Sequence, residues 1–270
     1  MMKFGFLRLG TLKRALRYGW SHSSLVYAPF FHILVQIGRH RLDKQVAGRT
    51  IAIVGPSPTL SGRGLGKKID SFDLVFKFNR MIDFDESLAR DYGHRCDILV
   101  HGLLEGERPG YCGKVRPAEW RSRLRDLHVL YPFRLGCQSY SVIGRYLLKG
   151  GRPRETTIID KASYAFLEKS IGARPTSGCS AIYLAVCGGA KEVSVFGMDF
   201  FAQGHHPSYF GPTAYASPHN YKHDPSGEKA FLLAFLLTAV EERRTSIFFN
   251  GQDLKSAFTT NQDEKKQDES

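Results

Sequence analysis

Residues 50–66 read TIAIVGPSPTLSGRGLG, and this stretch decides the fold class. The run from Thr50 to Val54 is compact, apolar and β-branched, which predicts a strand buried on both faces. Gly55 and a series of turn-forming residues up to Gly66 follow it directly. A buried strand that leads into a glycine-rich loop is where α/β folds bind nucleotides. The stretch therefore predicts an α/β fold, with the loop as a candidate anion-binding segment.

Strands and helices alternate along the rest of the chain. Further strands are predicted at residues 73–79, 96–101, 128–133, 192–196 and 245–250. Helices are predicted at residues 160–171, 180–187 and 224–244. The last helix has a clear start, because Asp224 is a good N-cap and Pro225 suits the first helical position. This alternation predicts a largely parallel, Rossmann-like sheet flanked by helices.

The chain carries an excess of positive charge. Its 270 residues include 38 Lys and Arg against 26 Asp and Glu, a formal net charge of +12. A basic surface attracts polyanions, which include nucleic acids, anionic membranes and anionic substrates. A nucleic-acid-binding protein is one alternative. However, the cations are not interleaved with a known RNA-binding motif, so nucleic acid is not the expected partner.

The positive charge is concentrated at the N-terminus, where the first acidic residue is Asp43. Basic and apolar residues are interleaved through residues 3–41, which suits an anionic membrane surface. An ordinary helix with a solvated basic face and a cleaved transit peptide are two further interpretations. No apolar stretch predicts a transmembrane helix. We divide the chain into a basic, membrane-proximal segment (1–48), a main domain (49–258) and a polar tail (259–270) that is predicted to be disordered.

The cysteines indicate a reducing compartment. Five are present, which is an odd number, and no two of them form a CxxC pair. Neither a zinc site nor a disulfide framework is predicted from this spacing. Reduced, mostly buried thiols favour the cytosol.

Two hydroxyl groups and a glycine precede the second predicted helix, at Thr176, Ser177 and Gly178. Residues of this kind cap a helix and present N–H groups to an anion. Taken alone, such a motif is more often a plain helix cap. Arg174 lies just before it, either as a partner for a carboxylate or as a solvated surface residue.

The irregular stretch at residues 204–227 is rich in His, Pro and Tyr. A long irregular segment inside a domain is usually functional or disordered. Histidine is the natural general base near neutral pH, and Glu228 follows His223 closely enough to hold one tautomer. A metal site is the rival interpretation of His205 and His206, but no HExxH spacing supports it.

Asp83 and Asp85 match the DxD pattern that holds a divalent ion in many sugar-nucleotide enzymes. Two acids in three residues are common by chance, and we interpret the pair as a solvated turn. No metal ion is therefore predicted.

Together these stretches resemble the eukaryotic-type sialyltransferase family, glycosyltransferase family 29, over about residues 50–250. The likeness rests on the family's sialylmotifs, which occur in the family's order. The large motif matches Ile51–Leu60, Gly66–Asp73 and Val75–Asn79; the small motif matches Pro175–Gly178, Ala181–Ala185 and Glu192–Gly197; the third motif matches His205–His206 and the very small motif His223–Glu228. Each motif alone is weak, whereas their joint occurrence is specific.

The resemblance implies a variant GT-A fold and an inverting transfer of sialic acid from CMP-sialic acid, without a metal or another cofactor. It implies that His206 donates to the departing phosphate, that His223 takes the proton of the acceptor hydroxyl, and that Glu228 supports the last helix. The donor-binding residues that it implies are Gly55, Ser57, Asn79, Thr176, Ser177, Gly178 and Gly197. Such chemistry needs both a stabilised leaving group and an activated nucleophile. Residues 49–258 are then the glycosyltransferase domain.

Several positions depart from the family pattern. Pro56 replaces an Asn of many members, and Pro207 replaces the Tyr that follows the motif histidine, for which Tyr209 or Tyr221 is the candidate substitute. The positions that match the family's disulfide are Ile51 and Ala190, so that bridge cannot form.

The missing bridge and the missing N-terminal anchor point away from the family's usual Golgi lumen. We expect a bacterial cytoplasm instead, with the enzyme at the inner face of a membrane and a glycan or glycolipid as acceptor. This setting leaves the donor open, because Kdo is also carried by CMP and plant relatives of the family are associated with Kdo. Both sugars have a carboxylate beside the anomeric carbon.

Overall fold

The structure of the chain is a computed structural model that describes residues 24–103, 127–134, 137–148, 151–210, 223–242, 244–249 and 252–253. Some predicted features lie outside these residues. They are Tyr221, residues 1–23 of the basic segment, and the polar tail at residues 259–270.

The described residues form one eight-stranded sheet. Its strands are β1 (Thr50–Val54), β2 (Leu74–Phe78), β3 (Ile98–Val100), β4 (His128–Tyr131), β5 (Thr156–Ile158), β6 (Glu192–Phe196), β7 (Ser246–Phe249) and β8 (Gln252–Asp253). Their spatial order is β5-β4-β3-β2-β1-β6-β7-β8. Every neighbouring pair from β5 to β7 is parallel, and β8 pairs with β7 in the antiparallel direction. The predicted, largely parallel sheet is confirmed.

Helices flank this sheet. They are α1 (Ser24–Val46), α2 (Gly66–Asp70), α3 (Glu86–Tyr92), α4 (Cys137–Leu148), α5 (Lys161–Ile171), α6 (Ser177–Cys187), α7 (Pro207–Phe210) and α8 (Pro225–Glu241). The helices predicted from the sequence are α5, α6 and α8. Each begins at a side chain that accepts a backbone N–H bond, namely Asp160, Thr176 and Asp224. These caps satisfy N–H groups that have no partner inside the helix, and they explain why the starts of α5 and α8 were predicted to within one residue; α6 begins three residues before the predicted start at residue 180.

β1 lies at the centre of the sheet, between β2 and β6. Residues 51–54 are fully buried, which accounts for the uninterrupted apolar run in the sequence. The chain continues from β1 to β2 on one side, and the later strands β6 and β7 lie on the other side, so the strand order reverses at β1. Such a reversal opens a crevice at the carboxyl ends of parallel strands, where ligands bind. The topology therefore brings the loop after β1 and the residues after β6 to one place.

The end of α1 belongs to the domain. Leu42 and Val46 are fully buried in the main core, and the hydroxyl of Thr157 on β5 donates to the Gly38 carbonyl oxygen at 2.8 Å. Residues of α1 before the predicted boundary at residue 48 therefore pack against the sheet and its core. None of the helices formed by the described residues is long and apolar enough to cross a membrane.

Candidate functional site

The loop after β1 and the turn after β6 lie back to back at the carboxyl edge of the sheet. The Gly55 N–H donates to the Phe196 carbonyl oxygen at 2.7 Å, and the Ser57 N–H donates to the Gly197 carbonyl oxygen at 3.0 Å. A Cβ atom added at Gly55 would lie 2.3 Å from that Gly197 oxygen. No real Cβ approaches so closely, so glycine at residue 55 is required by the neighbouring backbone.

A hydrogen bond between side chains fastens this junction. The Ser57 hydroxyl donates to Asp199 Oδ2 at 2.9 Å, and Ser57 itself is only 2% exposed. The same carboxylate accepts the backbone N–H groups of Phe201 and Gln203 at 3.1 and 2.9 Å. Asp199 was not among the predicted site residues. The signal available for it was an acid two residues after Gly197, the glycine that follows a predicted strand.

The start of α6 meets the same junction through Met198. A Cβ added at Gly178 would lie 2.3 Å from Met198 Cε, and one added at Gly55 would lie 2.6 Å from Met198 Cγ. Thr176 caps the helix, because its hydroxyl oxygen accepts the Cys179 N–H at 3.1 Å. The structure therefore brings the Thr176–Gly178 cradle and the β1 loop together around one methionine. The backbone N–H groups at the start of this eleven-residue helix, together with the positive end of its dipole, favour an anion at that end of α6.

Asn79 directly follows β2 and is held at both ends of its side chain. Its amide nitrogen donates to the Tyr209 hydroxyl oxygen at 2.9 Å, and its Oδ1 accepts the Gly102 N–H at 3.0 Å. Tyr209 is buried and its ring stacks on His205 with a centroid distance of 5.0 Å. The structure thus places Tyr209, one candidate substitute for the motif tyrosine, beside the predicted donor-binding residue Asn79.

Strained backbone concentrates at this edge of the sheet. The non-glycine residues with positive φ are Asn79 (42°), Leu103 (53°), Phe200 (54°) and Phe201 (67°) among the described residues. They lie just beyond the ends of β2, β3 and β6. Such conformations persist where the surrounding structure imposes them, and they cluster at active sites and ligand clamps.

His206 is fixed by its backbone and by two aromatic rings. Its N–H donates to the Pro56 carbonyl oxygen at 2.6 Å, and its ring lies 5.8 Å from the rings of both Phe84 and Tyr92. Nδ1 accepts the Ser208 N–H at 3.2 Å, so a neutral His206 carries its proton on Nε2. Burial lowers the pKa of His206, and the nearby Asp85 opposes that effect.

Its neighbour His205 has a different character. Burial lowers the pKa of His205 to about 4, with Asp199 opposing, so its stacked ring stays neutral at physiological pH. His205 therefore contributes an uncharged wall behind Tyr209.

His223 has the opposite tautomer. Its Nδ1 lies 2.8 Å from the Arg174 carbonyl oxygen, which can only accept, so Nδ1 donates and a neutral His223 carries its lone pair on Nε2. From the sequence, the Glu228 carboxylate was predicted to hold one tautomer of His223. In the structure a backbone carbonyl does so, and the Arg174 side chain is exposed.

Glu228 binds the α6 cap instead of His223. Its carboxylate accepts both the backbone N–H and the hydroxyl of Thr176, the latter at 2.8 Å. Glu228 is 2% exposed, and burial raises its pKa to about 7 although the Thr176 hydrogen bonds oppose the shift. Glu228 was expected to support α8, the helix on which it lies. In the structure its carboxylate binds the cap of a second helix, α6. Glu228 ties the start of α8, next to His223, to the anion cradle at the start of α6.

One residue of the DxD pair, Asp85, has a structural role. Asp85 caps α3 by accepting the Ser87 N–H at 3.0 Å. Side-chain hydrogen bonding from Ser87 lowers the pKa of Asp85. Among the residues that the structure describes, no three His, Cys, Asp or Glu side chains gather into a group that could hold a metal ion.

No protein-family model and no curated protein sequence matches the chain. Solved structures do match. The sialyltransferase CstII from Campylobacter jejuni, in complex with the substrate analogue CMP-3FNeuAc, superposes with a TM-score of 0.50 at 15% identity, over 74% of this chain and 81% of that one.

Two further similar structures are a mammalian sialyltransferase (TM-score 0.49, 15% identity, 78% of this chain and 77% of that one) and the monofunctional α-2,3-sialyltransferase Cst-I from Campylobacter jejuni (TM-score 0.47, 15% identity, 75% of each chain). At this level of identity, the likeness to CstII shows the fold. The predicted α/β architecture of GT-A type is therefore confirmed.

Proposed function

We propose that the chain is an inverting, metal-independent glycosyltransferase. It transfers sialic acid, or a related keto-sugar acid such as Kdo, from a CMP-activated donor to a hydroxyl group of a glycan or glycolipid. The observation that carries this proposal is the pair of opposite tautomers. His206 presents an N–H at Nε2, and His223 presents a lone pair at Nε2.

These two histidines suit the two halves of the reaction. In the proposed step the acceptor oxygen bonds to the anomeric carbon while the bond from that carbon to the CMP phosphate breaks. His223 Nε2 takes the hydroxyl proton, and His206 Nε2–H donates a hydrogen bond to the departing phosphate. Attack opposite the leaving group inverts the anomeric centre. General base catalysis and leaving-group stabilisation of this kind each contribute about 10²-fold or more to a rate.

The remaining residues support donor binding in this proposal. At the start of α6, Ser177 and Gly178 suit the phosphate of CMP or the sugar carboxylate, while Thr176, whose donors bind Glu228, holds this end of the helix in place. The exposed Arg174 beside them suits the carboxylate that sialic acid and Kdo share. Gly55, Ser57, Asn79 and Gly197 shape the crevice wall on the sheet side.

We further propose that the enzyme acts in a bacterial cytoplasm, at the inner face of a membrane. The support is the basic, apolar sequence at residues 3–41, which ends before the first acidic residue of the chain, Asp43. Such a segment binds anionic lipid and would bring the site to a glycolipid acceptor. Binding to vesicles with and without anionic lipid, at low and high salt, measures this directly.

The deciding experiment is nucleotide binding followed by turnover. Purified protein should bind CMP or CDP more tightly than UDP or GDP, and it should turn over CMP-sialic acid or CMP-Kdo without added metal. His223→Ala should lower kcat by about 10²–10⁴-fold and leave CMP affinity within about threefold, because the base touches the acceptor and not the nucleotide.

His94→Ala is the matched control, because the His94 side chain is 62% exposed on the surface of the domain. It should retain wild-type turnover. Equal affinity for cytidine, uridine and guanosine nucleotides would refute the proposal.

A further inference from the structure

Tyr92 lies outside the sialylmotif-like stretches and closes α3. Its side chain is fully buried. Its hydroxyl donates to the Ser57 carbonyl oxygen at 2.8 Å and lies 3.4 Å from the Ser61 hydroxyl. Tyr92 therefore holds the backbone of the loop after β1 at the residue whose side chain binds Asp199.

The ring of the same tyrosine forms a wall of the His206 site. The Tyr92 and His206 centroids are 5.8 Å apart with an interplanar angle of 72°. Phe84 packs against both rings, with an edge-to-face contact to Tyr92 at 5.2 Å and a tilted contact to His206 at 5.8 Å between ring centroids. One side chain thus contacts the loop through its hydroxyl and the histidine through its ring.

The position of Tyr92 is itself well determined. The preceding residue, Asp91, accepts the N–H groups of Gly62 and Gly64 at 2.7 Å each, so the same turn of α3 also braces the distal half of the loop. At the other end of the helix, Asp85 caps the first turn. Two consecutive side chains at the end of α3 therefore fix two separate points of one loop.

We infer that Tyr92 is a positioning residue for the proposed transfer, which sets the donor loop and His206 in a fixed relation to one another. Without its hydroxyl, the Ser57 carbonyl loses its buried donor and the loop can shift. Without its ring, His206 loses one of the two aromatic walls that define its orientation. The inference rests on the proposed function, but its geometry is testable without turnover.

Tyr92→Phe isolates the hydroxyl. Because a net hydrogen bond corresponds to about tenfold in an equilibrium constant, we expect the donor KM and the CMP Kd to rise about tenfold while kcat falls less than about threefold. Tyr164→Phe is the matched control. Tyr164 is also a buried tyrosine, 4% exposed, but it lies on α5. That variant should keep the wild-type KM.

Tyr92→Leu removes the ring as well. We expect kcat to fall at least about tenfold, because the leaving-group contact is now misplaced. NMR titration of the His206 ring gives a second readout that does not require activity. Water admitted by the smaller side chain should raise the His206 pKa towards its ordinary value, whereas Tyr92→Phe should leave that titration unchanged.

The outcomes separate the inference from the proposed function. If the wild-type protein shows no preference for cytidine nucleotides, the proposed function fails, and the His206 titration in Tyr92→Leu still tests the geometry. If the wild type turns over a CMP-sugar but Tyr92→Phe has the wild-type KM, the inference is wrong. An unshifted His206 titration in a folded Tyr92→Leu protein overturns it as well. Should Tyr92→Leu not fold, the KM of the volume-conserving Tyr92→Phe decides.

Discussion

The carboxylate of Glu228 accepts two hydrogen bonds from Thr176, one from the backbone N–H and one from the hydroxyl, across 52 residues of sequence. Thr176 in turn caps α6. These two hydrogen bonds join the start of α8 to the start of α6. The proposed base, His223, and the proposed anion cradle are therefore positioned by one buried acid.

The ionisation of Glu228 should make stability depend on pH. Because burial raises its pKa from 4.5 to about 7, the folded protein holds this proton more tightly than the unfolded chain does. The stabilisation is fully present below about pH 4.5 and is lost as the pH rises through about 7. At about 1.4 kcal/mol per pKa unit, its upper limit is on the order of 3 kcal/mol.

Glu228→Gln imitates the protonated acid and should remove this dependence. Denaturant unfolding between about pH 5 and pH 8 should show a flatter profile for the variant than for the wild type. Glu241→Gln, an exposed carboxylate on the same helix, is the control and should follow the wild type. If Glu228→Gln shows the wild-type pH profile, Glu228 is not the titrating group.

The hydrogen bond between Ser57 and Asp199 should be worth a measurable coupling energy. Ser57→Ala leaves a partly buried carboxylate with one donor fewer, which costs about 1.5–3 kcal/mol. We expect a comparable loss for Asp199→Asn and a coupling of at least about 0.5 kcal/mol in the double-mutant cycle. The CMP Kd should rise together with the loss of stability, because the bond fixes the donor loop.

Ser71→Ala serves as the control for this cycle. Ser71 is exposed and its hydroxyl bonds only a neighbouring backbone carbonyl, that of Lys68, at 2.7 Å. Additive effects of Ser57→Ala and Asp199→Asn would show that the contact does not stabilise the loop.

The sequence predicted the elements that carry strong local signals. Strand β6 was predicted with the bounds 192–196 that it has, and β1 was recognised from its apolar, β-branched run. The start of α8 was predicted from Asp224 and Pro225, and the structure confirms that cap. In these places a local feature, burial on both faces or a capping side chain, determines the structure.

Several elements were not predicted, and β5 is one of them. β5 is only three residues long, and the β-branched run that forms it is correspondingly short. In the structure the Thr156 hydroxyl donates to the Arg152 carbonyl and the Thr157 hydroxyl donates to the Gly38 carbonyl. The β-branched residues 156–159 were a local strand signal that was overlooked, whereas the contact with residue 38 is distant in sequence and no local pattern indicates it.

The candidate site likewise contains residues that local patterns predicted and residues that they did not. Glycines and caps such as Gly55 and Thr176 were recognised from their local pattern. Asp199 and Tyr92 were missed because their roles depend on partners far along the chain. Asp199 lies 142 residues from Ser57, and Tyr92 lies 35 residues from it. Only the sheet order brings these residues together.

The crevice glycines should differ in how well they tolerate a methyl group. A Cβ at Gly55 would meet the Gly197 backbone oxygen at 2.3 Å, which cannot move without displacing β6. A Cβ at Gly178 would meet the flexible end of Met198 at the same distance. We expect Gly55→Ala to cost more than about 3 kcal/mol or to prevent folding, and Gly178→Ala to cost about 1–2 kcal/mol.

Thermal and denaturant unfolding measure both effects. Met198→Ala should relieve much of the cost of Gly178→Ala, because it removes the opposing atoms, but it should not rescue Gly55→Ala. Gly144→Ala is the control, since nothing lies within 4 Å of its added Cβ and helix α4 should gain up to about 1 kcal/mol. Equal tolerance at Gly55 and Gly178 would contradict the packing described here.

Buried histidines should make the protein sensitive to acid. Burial lowers the pKa of His101 to about 3 and the pKa values of His128 and His205 to about 4, against an ordinary value of 6.5. The folded protein therefore binds fewer protons than the unfolded chain. Their contribution to stability is fully present above about pH 6.5 and is lost as the pH falls towards about 4.

His128 offers the cleanest test, because it lies on β4, away from the candidate site, with Nε2 2.6 Å from the Thr157 hydroxyl. His128→Gln retains a hydrogen-bonding group but cannot take up a proton. We expect the slope of unfolding free energy against pH, between about pH 4.5 and pH 6, to decrease by up to about 1.4 kcal/mol per pH unit. His94→Gln, on the exposed surface, should leave that slope unchanged. A wild-type slope in His128→Gln would mean that the unfolded chain gains no proton at this residue, and the buried, neutral state of His128 would be wrong.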